Sequence, residues 1–309
     1  MTNSSPDVVV YEVGPRDGLQ NEPESVSTAD KLELIDRLTS AGMRRIEVTS
    51  FVSPKWIPQL ADAGELAAAA PQHDGVAYSA LVPNERGYDR FAESGRLHVA
   101  ATFISASESH NRKNLNCSVA EQLGRMAPVM DRARADGIPI RSYVSTVCGC
   151  PYEGDVDLRA VVELARRLVE GGAEEISLGD TIGVGTPSQV RELVAAVGDV
   201  VPLDRVALHL HDTYGRALAN VQAGYEAGVR TFDSSLCGLG GCPYAPGASG
   251  NVATEDVVSL FESQAIPTGI DLEALIDTST WLENDVLQRT LPSRVYRAHR
   301  GRREKAASA

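Results

Sequence analysis

The sequence predicts an α/β protein built as one (β/α)8 barrel, the TIM-barrel architecture, with an additional C-terminal helical segment. Short runs of β-branched and apolar residues alternate eight times with longer segments of helical spacing. Such alternation produces parallel strands joined by right-handed crossovers, and eight repeats close a barrel. An open doubly wound sheet is the alternative, but no G-x-G-x-x-G motif follows the first strand.

Helix signals separate the predicted strands. Ser27 precedes an apolar stripe of helical spacing, and Thr186-Pro187 opens another helix. Glycine lies just before several strands, as at Gly137 and Gly172, where the end of a helix favours a left-handed residue. The predicted strands cover residues 8–13, 45–51, 76–81, 97–104, 140–147, 175–179, 205–211 and 231–236.

The predicted barrel occupies most of the chain, so we expect a single catalytic domain over residues 1–290. Its strand–helix units extend from about residue 8 to 264, and a further helix is predicted over about 272–287. We expect residues 291–309 to form a basic, flexible, solvated tail. Its basic residues are Arg294, Arg297, Arg300, Arg302, Arg303 and Lys305.

The composition excludes several classes of protein. Hydrophobic residues make up 43% of the chain and charged residues 23%, which is too apolar for a disordered chain. The formal net charge of −13 argues against nucleic acid or an anionic membrane as a partner. No apolar run approaches the ~20 residues of a membrane span, and residues 1–7 do not resemble a secretory signal. Because five cysteines form no disulfide framework, we expect a cytoplasmic protein.

Two histidines mark the carboxyl end of the seventh predicted strand. Val206, Leu208 and Leu210 are apolar and suit the face packed on the outer helices. Alternation then directs His209 and His211 into the lumen, at the end of the barrel where active sites of this fold lie. Two imidazoles at this spacing can bind one metal ion, and a pair of hydrogen-bonded core histidines is the alternative.

A charged turn follows the first strand. Gly14-Pro15 turns the chain and places Arg16 and Asp17 at the barrel mouth. Asp17 can supply a carboxylate oxygen to a metal ion, whereas Arg16 offers fixed positive charge to a developing oxyanion. A surface ion pair at a turn would use the same two residues, so the sequence leaves that alternative open.

Three further carboxylates are predicted at the lumen or its rim. Glu47 lies between two apolar, outward-facing neighbours, so it should point inward, where a carboxylate is costly unless it is paired. Its simplest partner is Arg16. Glu12 is also predicted to face the lumen, and Asp180 ends the sixth strand on the active face.

A glycine-rich loop of residues 237–251 follows the eighth strand and is typical of a mobile active-site lid. Cys242 lies in its middle, and a thiol can act as a general acid or base near neutral pH. An incidental loop cysteine is the alternative. Asn251 closes the loop and could give an amide oxygen to a metal ion. Histidines combined with carboxylate and amide oxygens, and with open positions, favour Mg²⁺ or Mn²⁺ over structural zinc.

Five blocks of this sequence together resemble the 3-hydroxy-3-methylglutaryl-CoA lyase family, a branch of a superfamily of metal-dependent lyases and Claisen-type synthases. The resemblance extends from about residue 8 to 264. Unlike the animal enzymes, the chain has no cysteine-bearing C-terminus, so we expect no thiol regulation there. The blocks are GPRDGLQNE at 14–22, EVTSFVSPKW at 47–56, SLGDTIGVG at 177–185, HLHDTY at 209–214 and GGCPY at 240–244.

The resemblance implies three sets of site residues at matching positions. The implied metal ligands are Asp17, His209, His211 and Asn251. The implied catalytic residues, two of which support or orient the site, are Arg16, Cys242, Asp180 and Glu47. The candidate substrate contacts are Arg16, Ser50, Asn114, Arg141 and Ser177.

The resemblance also implies the chemistry. With Mg²⁺ or Mn²⁺, such an enzyme cleaves the acyl-CoA substrate 3-hydroxy-3-methylglutaryl-CoA to acetyl-CoA and acetoacetate in a retro-Claisen-type reaction. Asp180 is the first choice of general base, and a ligand histidine is the alternative. The family implies a homodimer and a place in leucine degradation. Three alternatives remain open: a lyase for a related 3-hydroxyacyl-CoA, a condensing acyltransferase, and a non-catalytic barrel that binds CoA or metal.

Overall fold

A computed structural model describes residues 7–23, 25–241 and 250–307 of the chain, and eight parallel strands in it close into a barrel. The strands pair in chain order, and the last pairs with the first. All eight predicted strands are confirmed, with ends that differ by at most two residues. They are β1 (Val9–Glu12), β2 (Arg45–Ser50), β3 (Ala77–Leu81), β4 (Val99–Ser105), β5 (Ile140–Ser145), β6 (Glu175–Asp180), β7 (Val206–Leu210) and β8 (Thr231–Ser234).

Helices connect the strands and cover the barrel. The Ser27 hydroxyl accepts a hydrogen bond from the backbone N–H of Asp30, and Thr186 forms a reciprocal capping box with Gln189, so both predicted helix starts are confirmed. Gly172 ends its helix at φ 111°, a conformation that favours glycine. The helices are α1 (Thr28–Ser40), α2 (Ala63–Ala69), α3 (Glu85–Ser94), α4 (Glu108–Leu115), α5 (Val119–Asp136), α6 (Leu158–Gly171), α7 (Pro187–Gly198), α8 (Ala217–Glu226), α9 (Thr254–Glu262), α10 (Leu272–Trp281) and α11 (Arg294–Ala307).

The strands separate an apolar core, between barrel and helices, from a mainly polar lumen. Outward-facing strand residues such as Leu208 and Leu210 pack against the helices in one continuous apolar core. The lumen is mainly polar and charged, except for an apolar wall on the side of β3, β4 and β5. The apolar wall consists of Leu81, Ala101, Phe103 and Tyr143.

The predicted direction of Glu12 is wrong. Glu12 pairs with Ile46 of β2, which faces the helices, so its side chain points away from the lumen. The Glu12 carboxylate accepts hydrogen bonds from the N–H of Gly14 at 2.7 Å and of Leu236 at 2.9 Å, and from the Thr254 hydroxyl at 2.6 Å. Glu12 therefore joins the turn after β1 to the segment after β8.

The basic end of the chain, which the composition predicts to be a flexible tail, is instead the helix α11. Its Arg303 pairs with Asp277 at 2.5 Å and with Glu273 at 2.6 Å, both on α10. The Asp256 carboxylate accepts hydrogen bonds from the Ser293 hydroxyl at 2.8 Å and the Val295 N–H at 2.9 Å, where α11 begins. These acidic partners are distant in sequence, so local composition does not indicate them.

The predicted helix over 272–287 is confirmed, because α10 continues directly into a π-helical segment, Leu282–Leu287. Across the described residues, every helix is too short or too polar to cross a bilayer.

Candidate active site

Three potential metal ligands converge at the carboxyl end of the barrel. His209 lies near the end of β7, His211 follows that strand, and Asp17 lies in the π-helical turn Gly14–Gly18 after β1. His209 Nε2 is 3.3 Å from His211 Nε2 and 3.9 Å from Asp17 Oδ2. One ligand atom of each residue lies within 4.8 Å of the others, so a single ion could contact all three.

The turn after β1 is held by hydrogen bonds to one backbone carbonyl oxygen. The Val13 carbonyl accepts hydrogen bonds from the N–H groups of Arg16, Asp17 and Gly18 at 3.1, 2.7 and 3.2 Å. This tight turn holds the arginine and the aspartate side by side at the barrel mouth. The predicted placement of Arg16 and Asp17 is therefore confirmed.

Asn251 joins the cluster through backbone pairing that the sequence does not reveal. A β-bridge pairs it with His211 directly after β7. Its Nδ2 donates to Asp17 Oδ2 at 2.8 Å and to the Leu239 carbonyl at 3.0 Å. Its buried Oδ1 has no hydrogen-bond partner among the described residues. An unpaired amide oxygen beside a carboxylate and two imidazoles fits a divalent cation.

The charge states of the cluster suit a cation. Burial alone would raise the pKa of Asp17, but the Arg16 guanidinium and the two imidazoles outweigh it and lower that pKa to about 2. Burial, together with the neighbouring His209, lowers the pKa of His211 to about 4. Near neutral pH the cluster therefore presents an ionised carboxylate and a neutral His211 ring, the forms that ligate metals.

The predicted pairing of Glu47 with Arg16 is confirmed. Arg16 Nε donates to Glu47 Oε2, and Arg16 Nη1 donates to Asp17 Oδ1 at 2.6 Å. The Glu47 side chain is completely buried, whereas Arg16 borders the cavity described below. Two carboxylates thus fix the plane of the guanidinium beside the potential metal ligands.

A cavity of about 610 Å³ opens above the cluster. Its opposite side carries positively charged and amide groups from α4, α5 and the segment between them. The apolar wall contributes Leu81, Phe103 and Tyr143, and the exposed Trp56 lies at the opening. The polar residues on the opposite side are Lys113, Asn114, Asn116, Gln122 and Arg125.

Asp180 does not reach the cavity, contrary to prediction. It pairs with Leu210, which faces the helices, so its side chain lies on the outer side of the sheet. The N–H of Val184 donates to Asp180 Oδ1 at 3.1 Å, and the N–H of Gly185 donates to Oδ2 at 2.8 Å. Burial raises the pKa of Asp180 to about 6, although these backbone donors oppose the shift. Its contacts are those of a residue that holds the turn after β6.

Arg141 and Ser177, predicted as substrate contacts, also do not reach the cavity. Both are buried in the lumen below the cavity, outside its lining. Both donate to Asp233 of β8, a residue that the sequence analysis missed: Arg141 Nη2 lies 2.6 Å from Oδ1, and Ser177 Oγ lies 2.8 Å from Oδ2. Asp233 stands between Phe232 and Ser234, so the alternation that identifies Glu47 could have found it.

The remaining predicted residues have mixed positions. Asn114 lines the cavity, as expected for a substrate contact. The Ser50 hydroxyl accepts a hydrogen bond from the Val52 N–H at 3.3 Å, and Ser50 does not line the cavity. Cys242 lies outside the described residues.

A closed barrel with a candidate metal cluster and a paired arginine at its carboxyl face has the arrangement of a barrel protein with a potential metal site where the active sites of this fold lie. The chain belongs to the HMGL-like family, whose model matches residues 7–282.

Similar proteins cover nearly the whole chain. A Pseudomonas aeruginosa protein described as 3-hydroxy-3-isohexenylglutaryl-CoA/hydroxy-methylglutaryl-CoA lyase is 52% identical over 270 residues, which are 87% of this chain and 90% of the relative. The crystal structure of a Bacillus subtilis HMG-CoA lyase is 47% identical, with a TM-score of 0.93 over 96% of this chain and 99% of that one. An Acinetobacter baumannii HMG-CoA lyase in complex with coenzyme A and 3-methylmalate is 41% identical, with a TM-score of 0.91 over 96% and 97%.

Proposed function

We propose that the protein cleaves 3-hydroxy-3-methylglutaryl-CoA to acetyl-CoA and acetoacetate. The observation that carries this proposal is the convergence of Asp17, His209 and His211 with Arg16 at one cavity. The chain is about half identical to proteins described as lyases for this substrate, and the family match over residues 7–282 includes the segments that form the cluster.

Asp17, His209, His211 and Asn251 would hold a divalent cation, which we propose to be Mg²⁺ or Mn²⁺. When bound, the cation would supply positive charge that lowers the pKa of the substrate's C3 hydroxyl. Asn251 keeps its Oδ1 free for this role because its Nδ2 is engaged by Asp17 and Leu239.

Arg16 stabilises the charge that develops as the carbon–carbon bond breaks. Loss of the C3 hydroxyl proton turns C3 into the ketone carbon of acetoacetate, and the electron pair of the C2–C3 bond forms a thioester enolate. A guanidinium held by Glu47 and Asp17 needs little reorganisation to donate to that enolate oxygen. Cys242 is proposed to protonate C2 and so complete acetyl-CoA.

The acceptor of the C3 hydroxyl proton is proposed to be a group of the cluster itself. Asp180 is unsuitable because its two carboxylate oxygens accept backbone hydrogen bonds on the outer side of the sheet. A histidine of the cluster is the alternative that the sequence predicts, and His211 is the candidate because its Nδ1 has no hydrogen-bond partner among the described residues and could accept a proton while Nε2 binds the cation. Asn114 lines the cavity and remains a proposed substrate contact on the acyl-CoA side, whereas the buried Ser50 is not proposed as one.

A related substrate with a larger apolar group on C3 is a second candidate. The apolar wall borders the same cavity as the metal cluster, and it offers a surface for such a substituent. The similar P. aeruginosa protein is described as acting on the isohexenyl analogue as well.

The test is to incubate the protein with 3-hydroxy-3-methylglutaryl-CoA and Mg²⁺ and to measure acetoacetate, with and without EDTA. We expect turnover that EDTA abolishes and that excess Mg²⁺ or Mn²⁺ restores. Turnover of the isohexenyl analogue alone would show that the second candidate, with a larger apolar group on C3, is the substrate. Binding of the thioester without any cleavage would overturn the proposal, and net condensation from acetyl-CoA would favour an acyltransferase.

We also propose that residues 1–290 form one catalytic domain, that the protein acts as a homodimer in the cytoplasm, and that it serves leucine degradation. The family resemblance supports these proposals. Sedimentation equilibrium tests the dimer, and a mass equal to the 33.0 kDa chain would contradict it.

A further inference from the structure

We infer that Asp233 is a positioning residue that fixes the ring tautomer of His209, so that His209 Nε2 presents its lone pair to the metal cluster. The inference rests on the proposed metal-dependent function, because that tautomer matters only if His209 binds a cation.

Asp233 is a buried carboxylate surrounded by donors. The Arg141 guanidinium donates to both of its oxygens, at 2.6 Å to Oδ1 and 3.1 Å to Oδ2. Ser177 Oγ lies 2.8 Å from Oδ2, and His209 Nδ1 lies 3.2 Å from the same oxygen. Only 1% of the residue is exposed, so solvent does not compete for these contacts.

The chemistry of the contact sets the tautomer. An ionised carboxylate only accepts hydrogen bonds, so the His209 nitrogen that faces Asp233 must carry the hydrogen. The other nitrogen, Nε2, then has a free lone pair and points toward Asp17 Oδ2 and His211 Nε2. A carboxylate behind a ligating histidine orients the ring and raises its basicity in metal sites generally.

The two histidines differ in this respect. His211 Nδ1 has no hydrogen-bond partner among the described residues, and its Nε2 lies 3.3 Å from His209 Nε2, so no carboxylate behind the ring fixes its tautomer. His209 is the histidine of the pair that the barrel orients before a cation binds.

Asp233→Asn tests the tautomer of His209 specifically, because the hydrogen bond from Arg141 sets the orientation of the new amide. The shortest contact is the one from Arg141 Nη2 to Oδ1, so the amide oxygen should occupy that position and the NH2 group the Oδ2 position. The NH2 group then faces His209 Nδ1 as a donor. His209 would respond by moving its hydrogen to Nε2, where it blocks ligation, as a mistaken tautomer does in hydrolase triads.

A matched control is available on the same arginine. Glu175 accepts from Arg141 Nε and also pairs with Arg45 at 3.1 Å, and it lies at the opposite end of the barrel from the cluster. Glu175→Gln removes a charged partner of Arg141 without touching His209. Both variants can lose stability, but only Asp233→Asn should change the metal site.

The experiment measures Mn²⁺ binding by electron paramagnetic resonance in the absence of substrate, for the full chain and both variants. We expect Asp233→Asn to weaken Mn²⁺ binding about 10- to 100-fold and Glu175→Gln to change it less than about threefold. Equal Mn²⁺ affinity in Asp233→Asn and the unaltered protein would overturn the inference. Absence of Mn²⁺ binding in the unaltered protein would instead count against the proposed metal-dependent function.

A second measurement needs no Asp233 variant. Nitrogen-15 NMR of the unaltered, metal-free protein at neutral pH reports which ring nitrogen of His209 carries the hydrogen, and a His209→Gln spectrum assigns the signal. The Nδ1–H form is expected. A His209 ring with hydrogen on Nε2 would overturn the inference even if Asp233→Asn failed to fold.

Discussion

Replacement of Arg16 by methionine should separate its catalytic role from its role in stability. The variant removes the positive charge proposed for the enolate oxygen, and loss of one such donor typically lowers kcat ~10²- to 10³-fold. It also leaves Glu47 completely buried without the donor to its Oε2, while its Oε1 already has no partner among the described residues. An unpaired buried charge of this kind costs ~3–5 kcal/mol, or roughly 5–8 °C in unfolding temperature for a chain of this length.

The double variant Arg16→Met with Glu47→Met separates the two effects. It removes both members of the buried pair, which is often neutral for stability, so most of the unfolding temperature should return. The kcat should remain low, because the oxyanion donor is still absent. Calorimetry and steady-state acetoacetate assays measure the two quantities, with Mn²⁺ binding as the control for the intact cluster. A single variant with kcat within tenfold of normal and a raised KM would show that Arg16 only anchors substrate. A double variant no more stable than the single one would refute the argument from the buried carboxylate.

Three further predictions concern residues away from this pair. Cys242→Ser should retain Mn²⁺ affinity and lose ~10²- to 10⁴-fold in kcat, and a near-normal rate would remove the thiol from the reaction. In Asp180→Asn the amide can accept a backbone hydrogen bond through only one oxygen, so the variant should lose ~1–3 kcal/mol of stability while kcat stays within a few-fold of normal. A large loss of kcat in a stable variant would support Asp180 as the general base. Burial raises the pKa of Glu255 from 4.5 to about 7, so its contribution to stability is present below pH 4.5 and is lost as the pH rises through 7. The loss is on the order of 3 kcal/mol. The free energy of unfolding, measured in urea, should therefore fall less between pH 5 and 8 for Glu255→Gln than for the unaltered protein, and an equal fall in both would contradict the assignment.

Much of the site is predictable because two local rules apply to it. Alternation along β7 separates His209 and His211 from their apolar neighbours, and the fold places active residues at the carboxyl ends of strands. The first strand has apolar residues at nearly every position, so its sequence does not fix which face Glu12 occupies. The prediction for Asp180 is wrong for a different reason. Its position at a strand end suggests the active face, whereas alternation from Leu178 directs its side chain outward.

Contacts between distant segments could not be predicted in this way. The place of Asn251 after the glycine-rich loop and the family resemblance both predict it as a ligand, but its bridge to His211 depends on how the chain returns from the segment after β8. The acidic residues of α10 order the basic helix α11 because the fold brings the two helices together. Composition describes each segment alone, so it predicted a tail where pairing produces a helix.

Among the described residues, two arginine–carboxylate groups lie in the lumen. The upper group, nearer the carboxyl ends of the strands, borders the cavity, and the lower group does not. Arg141 is held by Asp233 and Glu175, whereas Arg16 is held by Glu47 and Asp17. The Tyr143 ring lies between them, with its centroid 4.8 Å from the Arg141 Cζ and 5.5 Å from the Arg16 Cζ.

Arg141 and Asp233 of the lower group are each only 1% exposed, so Arg141 is out of reach of a substrate and its charge is satisfied within the barrel. Asp233 Oδ2 lies 3.2 Å from His209 Nδ1, so this contact would carry any effect of the lower group on the proposed reaction. We therefore propose that the lower group orients His209, whereas Arg16 of the upper group is placed to contact substrate because its guanidinium borders the cavity.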